Sequence, residues 1–402
     1  MLSLERLGGG GEVTEQMIAF LKALLEQTGA AHLSFGNVIM ILIGSAMVYL
    51  AIVKHYEPLL LCGIGFACIV ANVPGPPDDI PGSPAISSLL YQVKEGGLFY
   101  YAYQGVAKLI IPPLIFLGVG AMTDFGPMIA NPKLVILGAG AHLGIFVALI
   151  LAKVLGFSLR EAGAIGIIGG ADGPMAIFVT VKLAPHLLGP ISVAAYSYMA
   201  LMPMIQPPIM RLLTTKKERL ITMAQLRKVT KLEKIAFPLV IAIIVNLFFP
   251  PVAPLITMLM LGNLLKESGV TDRLARTAAG GLMNVIIIVL TVAIGSTMAA
   301  DKFLTFQTVA IVVLGLLAFL FGTASGVVTA KIMNLFLDKP INPLIGSAGI
   351  ASVPIAARVS HTVAVQENPN NFLIYHAMGP NLAGVFGTAI SGGILLALLG
   401  VN

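Results

Sequence analysis

Charge is what this sequence has least of. Asp, Glu, Lys and Arg make up 10% of its 402 residues, against 57% apolar residues and a mean hydropathy of +0.95. Soluble domains carry about 25% charged residues. Too little charge is present to cover a water-soluble globule, which excludes a cytosolic enzyme, a disordered tail and a soluble nucleic-acid binder. Cysteine is nearly absent: Cys62 and Cys68 share one apolar run, too few for a disulfide framework or a Cys-rich metal site, and they read as inert core thiols. Metalloprotease, ATPase and serine-hydrolase motifs (HExxH, a P-loop, a nucleophile elbow) are missing, as is CxxC. The start, MLSLERLGGGGEV, lacks the basic and unbroken apolar regions of a secretory signal, so internal spans are expected to direct insertion.

The charge that is present is concentrated. Of 24 basic residues, eight lie between Arg211 and Lys234, opposed by Glu218 and Glu233. Short Lys/Arg-rich loops remain cytoplasmic, and this one reads as the central cytoplasmic loop. That assignment also puts Lys54, Lys133, Lys266, Arg273, Arg276, Lys331 and Lys339 inside, with Asp78 and Asp79 outside. Lys94, Lys108, Lys153, Arg160 and Lys302 fall outside, so the rule holds only in bulk. Around Thr14 to Gln27, apolar residues at helical spacing predict an interfacial helix.

Charge-free apolar runs occur at about 37–53, 58–73, 109–122, 134–152, 188–210, 235–249, 252–265, 281–299, 303–330 and 379–400. Several fall short of the roughly 20 residues of a straight span. Short, Gly- and Pro-interrupted segments recurring in both halves point to a transporter with broken helices. AIGIIGGADGPMAIFV (164–179) aligns with LIGSAGIASVPIAARV (344–359), and YMALMPMI from Tyr198 with YHAMGPNL from Tyr375. Upstream, the segment from Pro58 resembles that from Pro254. The expected fold is therefore an all-α polytopic membrane protein of two repeats, each of about five transmembrane helices and one Gly/Pro-broken re-entrant or discontinuous element. If that element is a hairpin, each half crosses an odd number of times and the repeats are inverted. The expected divisions are an interfacial segment (1–36), a first repeat (37–213), the basic loop (214–234) and a second repeat (235–402).

Asp172, in GGADGP, is the one ionisable residue from Ala162 to Val181. An ionisable group at membrane depth is costly and marks a functional site. Gly169, Gly170 and Gly173 let the backbone turn and expose carbonyls, and Pro174 suits the start of a helix. A carboxylate with free carbonyls offers hard oxygen ligands, suited to Na+ or H+. An N-cap for the helix begun at Pro174 is the alternative, and the two roles can coexist. Ser352 stands at the repeat-related position, and Asn342 and Asn381 put amide oxygens beside broken backbone, as ligands or as helix caps. Tyr198 pairs with Tyr375. Arg358 follows the second broken segment and suits carboxylate recognition, or snorkels to set topology. Lys182 and His361 read as structural.

The stretches GIIGGADGPMAIF, INPLIGSAGIASVPIAARVS and AMGPNLAGVFGTAI resemble the beta subunit of the biotin-dependent, sodium-pumping decarboxylases, the oxaloacetate, methylmalonyl-CoA and glutaconyl-CoA enzymes. FLGVGAMTDFGPMIANPK, AAYSYMALMPMIQPPIM and the basic loop extend the similarity along nearly the whole chain. The resemblance implies a subunit that decarboxylates carboxybiotin presented by a partner and not attached to this chain, consuming a proton and exporting Na+. By the same resemblance Asp172 is the essential cation-site carboxylate, with Asn342, Gly346, Tyr198 and Asn381 in the same site, and Arg358 near the carboxybiotin carboxylate. The expected partners are a soluble carboxyltransferase subunit with its biotin carrier domain, a small membrane subunit and copies of this chain, as a trimer, in a bacterial or archaeal inner membrane. Two departures stand out: Met175 replaces the Thr expected after GGADGP, and the family Ser falls on Ala351, with Ser352 one place later. The competing readings are a Na+/H+ antiporter or Na+/organic-anion symporter without chemistry, and a scaffold subunit, which would have no need of Asp172.

Overall fold

A computed structural model describes residues 15, 17–22, 28–74 and 98–400. Asp78, Asp79 and Lys94 lie outside the described residues, as does much of Thr14–Gln27, of which 15 and 17–22 are helical and exposed. Capping signals written in the sequence start several helices. Ser34 and Asn37 form a capping box at α1 (Phe35–Val53). Reciprocal Ser158–Glu161 and Thr230–Glu233 boxes, each satisfying two otherwise orphaned backbone donors, begin α7 and α10.

Between them run α2 (Pro58–Ala71), α3 (Leu98–Ala107), α4 (Ile111–Met122), α5 (Val135–Ala141) and α6 (Leu143–Val154). Then come α7 (Leu159–Gly166), α8 (Gly173–Leu183), α9 (Leu188–Leu213) and α10 (Lys231–Phe248). The longer helices that follow are α11 (Ala253–Glu267), α12 (Met283–Ser296), α13 (Phe306–Met333), α14 (Ile355–Glu367) and α15 (Ile374–Leu399). By length and composition, six stretches among the described residues are able to cross a membrane. The bent pair α3–α4, meeting at 74°, makes a seventh.

The two Gly/Pro-rich segments turn back on themselves. In the first, α7 runs into a 3-10 turn at Ile167–Gly170, and α8 returns. Its ends are joined where Glu161 Oε1 meets His186 Nε2 at 2.8 Å. In the second, a 3-10 stretch Pro343–Gly349 enters and α14 returns. Its ends are joined because the Asn342 and Asn371 amides donate to the same two carbonyls, Arg219 and Ile221. The tips meet: the Ala351 N–H donates to the Gly170 carbonyl at 2.9 Å. The second segment also packs backbone to backbone on α13, where Gly346 and Gly326 oppose each other with no room for a Cβ on either.

Two large hydrophobic cores result among the described residues. One gathers α1, α2, α3 and α12, with Leu60, Ile115, Met283 and Leu290. The other surrounds the broken segments and includes Phe116, Ala351, Val385 and Phe319. Helix α9 lies between them, giving Val193 and Tyr196 to the first core and Ile191, Ala195, Tyr198 and Met202 to the second.

At one end of the bundle the basic residues are clamped. Arg219 pairs with Glu367 at 3.0 Å, Lys331 with Glu218 at 3.2 Å and Lys234 with Asp124 at 2.9 Å. The loop expected at 214–234 is thus partly tethered. Cys68 is buried and Cys62 half-buried, both as free thiols. Lys182 extends toward the Pro251 carbonyl over the Phe178 ring, and His361 stacks on Phe372.

Candidate functional site

Asp172 ends the first tip in extended conformation and caps α8: its Oδ1 accepts the Met175 N–H at 3.0 Å. Among the described residues its second oxygen has no hydrogen bond, although the side chain is only 4% exposed. The carboxylate is therefore half-used by the fold. It lines a cavity of about 150 Å³ between the two cores, walled mainly by apolar side chains from α2, α4 and α12. Ala351 and Val353 of the second tip also line it.

Two further polar side chains reach this cavity, Tyr196 and Glu57. Tyr196 is 3% exposed and, among the described residues, its hydroxyl has no hydrogen-bond partner. Its ring lies against Gly173, where an added Cβ would fall 2.8 Å from the phenolic oxygen and closer still to the ring. Glu57 stands in the turn between α1 and α2 with φ of 36°, a left-handed conformation costly for a non-glycine residue. Burial raises its pKa, opposed by the field of Arg358. Arg358 itself is exposed, one turn into α14.

The other residues singled out in the sequence are placed differently. Tyr198, two positions beyond Tyr196, donates its hydroxyl to the Val312 carbonyl in the other core. Ser352 points away from Asp172 and donates to the Met202 sulfur at 3.0 Å. The Asn342 amide holds the Arg219 and Ile221 carbonyls while its oxygen accepts the Leu344 N–H, so it clamps the basic loop. Gly346 is a close-packing position against Gly326. Asn381, on α15, reaches the second tip: its amide nitrogen donates to the Ala348 and Ile350 carbonyls at 3.0 and 2.7 Å, and reaches that of Ser352 at 3.5 Å. Its Oδ1 is buried with no hydrogen-bond partner among the described residues. Tyr375 is 69% exposed and does not mirror Tyr198.

Tyr196 and Glu57 escaped sequence reasoning. The only available signal for Tyr196 was helical phase: residues two apart on a helix face opposite sides, so Tyr196 and Tyr198 cannot share a cavity. Glu57 stands beside Pro58 at the edge of an apolar stretch, with no motif around it to mark it. No group of three or more His, Cys, Asp or Glu able to hold a metal occurs among the described residues; the side-chain donors that line the cavity are all oxygens, those of Asp172, Glu57 and Tyr196. Such a set suits a monovalent cation better than a transition metal.

The chain matches, over residues 36–399, the family described as the Na+-transporting oxaloacetate decarboxylase beta subunit. It is 53% identical over 386 residues to the glutaconyl-CoA decarboxylase subunit beta of Acidaminococcus fermentans, covering 96% of this chain and 99% of that one. It is also 53% identical over 394 residues to the methylmalonyl-CoA decarboxylase subunit beta of Propionigenium modestum, covering 94% and 100%. With the probable oxaloacetate decarboxylase beta chain of Vibrio cholerae it shares 48% over 423 residues, covering 93% and 98%. A multi-pass helical fold, a buried half-used carboxylate and this similarity along the whole chain agree: the chain belongs to the beta-subunit family of Na+-transporting decarboxylases.

Proposed function

We propose that this chain decarboxylates carboxybiotin presented by a partner subunit and couples that reaction to Na+ export. The observation that carries the reading is Asp172, buried between two cores with one oxygen holding α8 and the other free. Breaking the N–CO2 bond of carboxybiotin leaves an electron pair on the ureido nitrogen, which takes up a proton as CO2 departs. Na+ held by Asp172 must be released against the membrane potential, at about 2.3 kcal/mol per charge for 100 mV. Protonation of Asp172 in the returning state prevents a futile leak of the cation, and that proton is available to the reaction.

Two hairpins closed at opposite ends of the bundle, with their tips bonded, support an inverted repeat. The pairing of basic residues at one end supports placing that end in the cytoplasm. Arg358, exposed one turn beyond the second tip and acting on Glu57, receives the carboxybiotin carboxylate, and at the basic end the clamped loop faces the soluble carboxyltransferase subunit and its biotin carrier domain. A small membrane subunit, trimeric assembly and a bacterial or archaeal inner membrane belong to the same reading.

The test is CO2 release from a carboxybiotinylated carrier protein added to proteoliposomes of this chain, in NaCl and in KCl. Release that requires Na+ is expected. Equal release in both salts, or none from folded protein, rejects the coupling.

A further inference from the structure

We infer that Tyr196 is a cation-site residue: its hydroxyl oxygen is a ligand for the Na+ held at Asp172. This rests on the reading of Asp172 as the cation-binding carboxylate and goes beyond it by naming the neutral group that completes the site. Three observations carry it. The hydroxyl is buried and, among the described residues, lacks a hydrogen-bond partner, a condition that costs free energy and calls for an explanation. Tyr196 lines the same cavity as Asp172. Its phenolic oxygen lies close beside Gly173, the residue after the carboxylate, where only a glycine leaves room for the ring.

A phenol has one proton to donate and lone pairs to offer. With Na+ present, a lone pair faces the cation and the carboxylate balances its charge. With Na+ absent, small rotations of the two side chains let the O–H donate to the carboxylate oxygen that the Met175 N–H leaves free. A neutral oxygen adds a ligand without adding a second negative charge. Leu60, Ile115, Phe116, Met283 and Leu290 make the rest of the wall apolar, and beside Asp172 and Tyr196 the polar side chain lining it is that of Glu57.

Tyr196→Phe tests this, because phenylalanine keeps the ring on Gly173 and removes one oxygen. The readouts are thermal unfolding of the purified full chain with increasing NaCl, at ionic strength held constant with choline chloride, and the Na+ dependence of carboxybiotin decarboxylation. Tyr196→Phe is expected to unfold at the wild-type temperature or higher without Na+, to show a smaller Na+-induced rise, and to need about tenfold more Na+ for half-maximal effect. A merely structural tyrosine would not separate the two salt conditions. Tyr49→Phe, the control at an exposed tyrosine of α1, is expected to keep the wild-type Na+ response. An unchanged half-saturating Na+ concentration in Tyr196→Phe overturns the inference. Asp172→Asn in the same titration separates the two claims: a wild-type Na+ response there rejects Asp172 as the ligand, while loss in Asp172→Asn with a normal response in Tyr196→Phe rejects Tyr196 alone.

Discussion

The Ala351 N–H donates to the Gly170 carbonyl at 2.9 Å, so the tips of the two broken segments are joined backbone to backbone. Asp172 follows Gly170 by two residues, and Ala351 itself lines the Asp172 cavity. A shift of either tip therefore changes the walls of the carboxylate site.

Asp172 has two separable jobs. Asp172→Asn preserves an N-cap acceptor and is expected to keep the wild-type unfolding temperature within a few degrees while abolishing Na+-dependent decarboxylation. Asp172→Ala removes the cap as well, with an added loss of about 1 kcal/mol. Thermal unfolding and CO2 release, measured on both variants, check the difference. Normal pumping by Asp172→Asn would defeat the model.

Asn381 works through its donor atoms. Asn381→Asp is isosteric but replaces the amide with a carboxylate facing the Ala348 and Ile350 carbonyls. A buried charge without donors costs more than a lost amide. Asn381→Asp should therefore be less stable than Asn381→Ala, which is itself expected to lose about 1–3 kcal/mol. Unfolding of both in detergent gives the order.

Ser352→Ala is expected to change the half-saturating Na+ concentration less than about twofold (under ~0.4 kcal/mol by the affinity scale), because the hydroxyl is directed at Met202. A Na+ titration of decarboxylation by this variant checks it. A tenfold loss of affinity would show that the hydroxyl turns to the cation during the cycle.

The clamps at the basic end carry a pH signature. Burial raises the pKa of Glu218, but bonds from Thr215 and Lys331 outweigh it and hold the carboxyl below its ordinary 4.5. Asp124 is likewise raised by burial, and more strongly lowered by Lys234, the Gly126 N–H and Lys266, ending below its ordinary 3.8. A depressed folded-state pKa contributes stability that is complete above the unfolded value and is lost as pH falls through the folded one. Unfolding temperature should thus be insensitive to these groups above about pH 5 and decline below about pH 4.5. Lys331→Met should flatten part of that decline, by no more than about 1 kcal/mol for so exposed a pair. An unaltered acid profile would show that the clamp contributes nothing.

Gly346→Ala places a methyl group against the Gly326 carbonyl, in backbone contact that cannot yield as a flexible side chain would. Overpacking of this kind costs about 1–3 kcal/mol, and Gly326→Ala should cost a similar amount. Unfolding temperatures of the two variants test that symmetry.

The spans, the broken segments, the central basic loop and Asp172 were legible in the sequence because each depends on composition or local pattern: apolar length, glycine beside proline, clustered lysine and arginine, one carboxylate in an apolar stretch. The roles of single polar side chains were not legible in the same way. Repeat alignment selected Tyr198 and Ser352, yet helical phase on α9 turns Tyr196 toward Asp172 and Tyr198 away. In the extended second tip, alternation turns Ala351 and Val353 to the cavity and Ser352 to Met202. Asn342 sits beside broken backbone as expected, but the folded basic loop brings the Arg219 and Ile221 carbonyls to it.

The sequence alone determined that this is a membrane-spanning helical protein with one costly buried carboxylate, since partitioning and backbone hydrogen bonding in lipid depend on residues near in sequence. Only the tertiary structure decided which oxygens surround that carboxylate. Side-chain direction is set by helical phase and by contacts between segments far apart in the chain, and Tyr196, Glu57 and Ala351 meet Asp172 only once the two cores close around it.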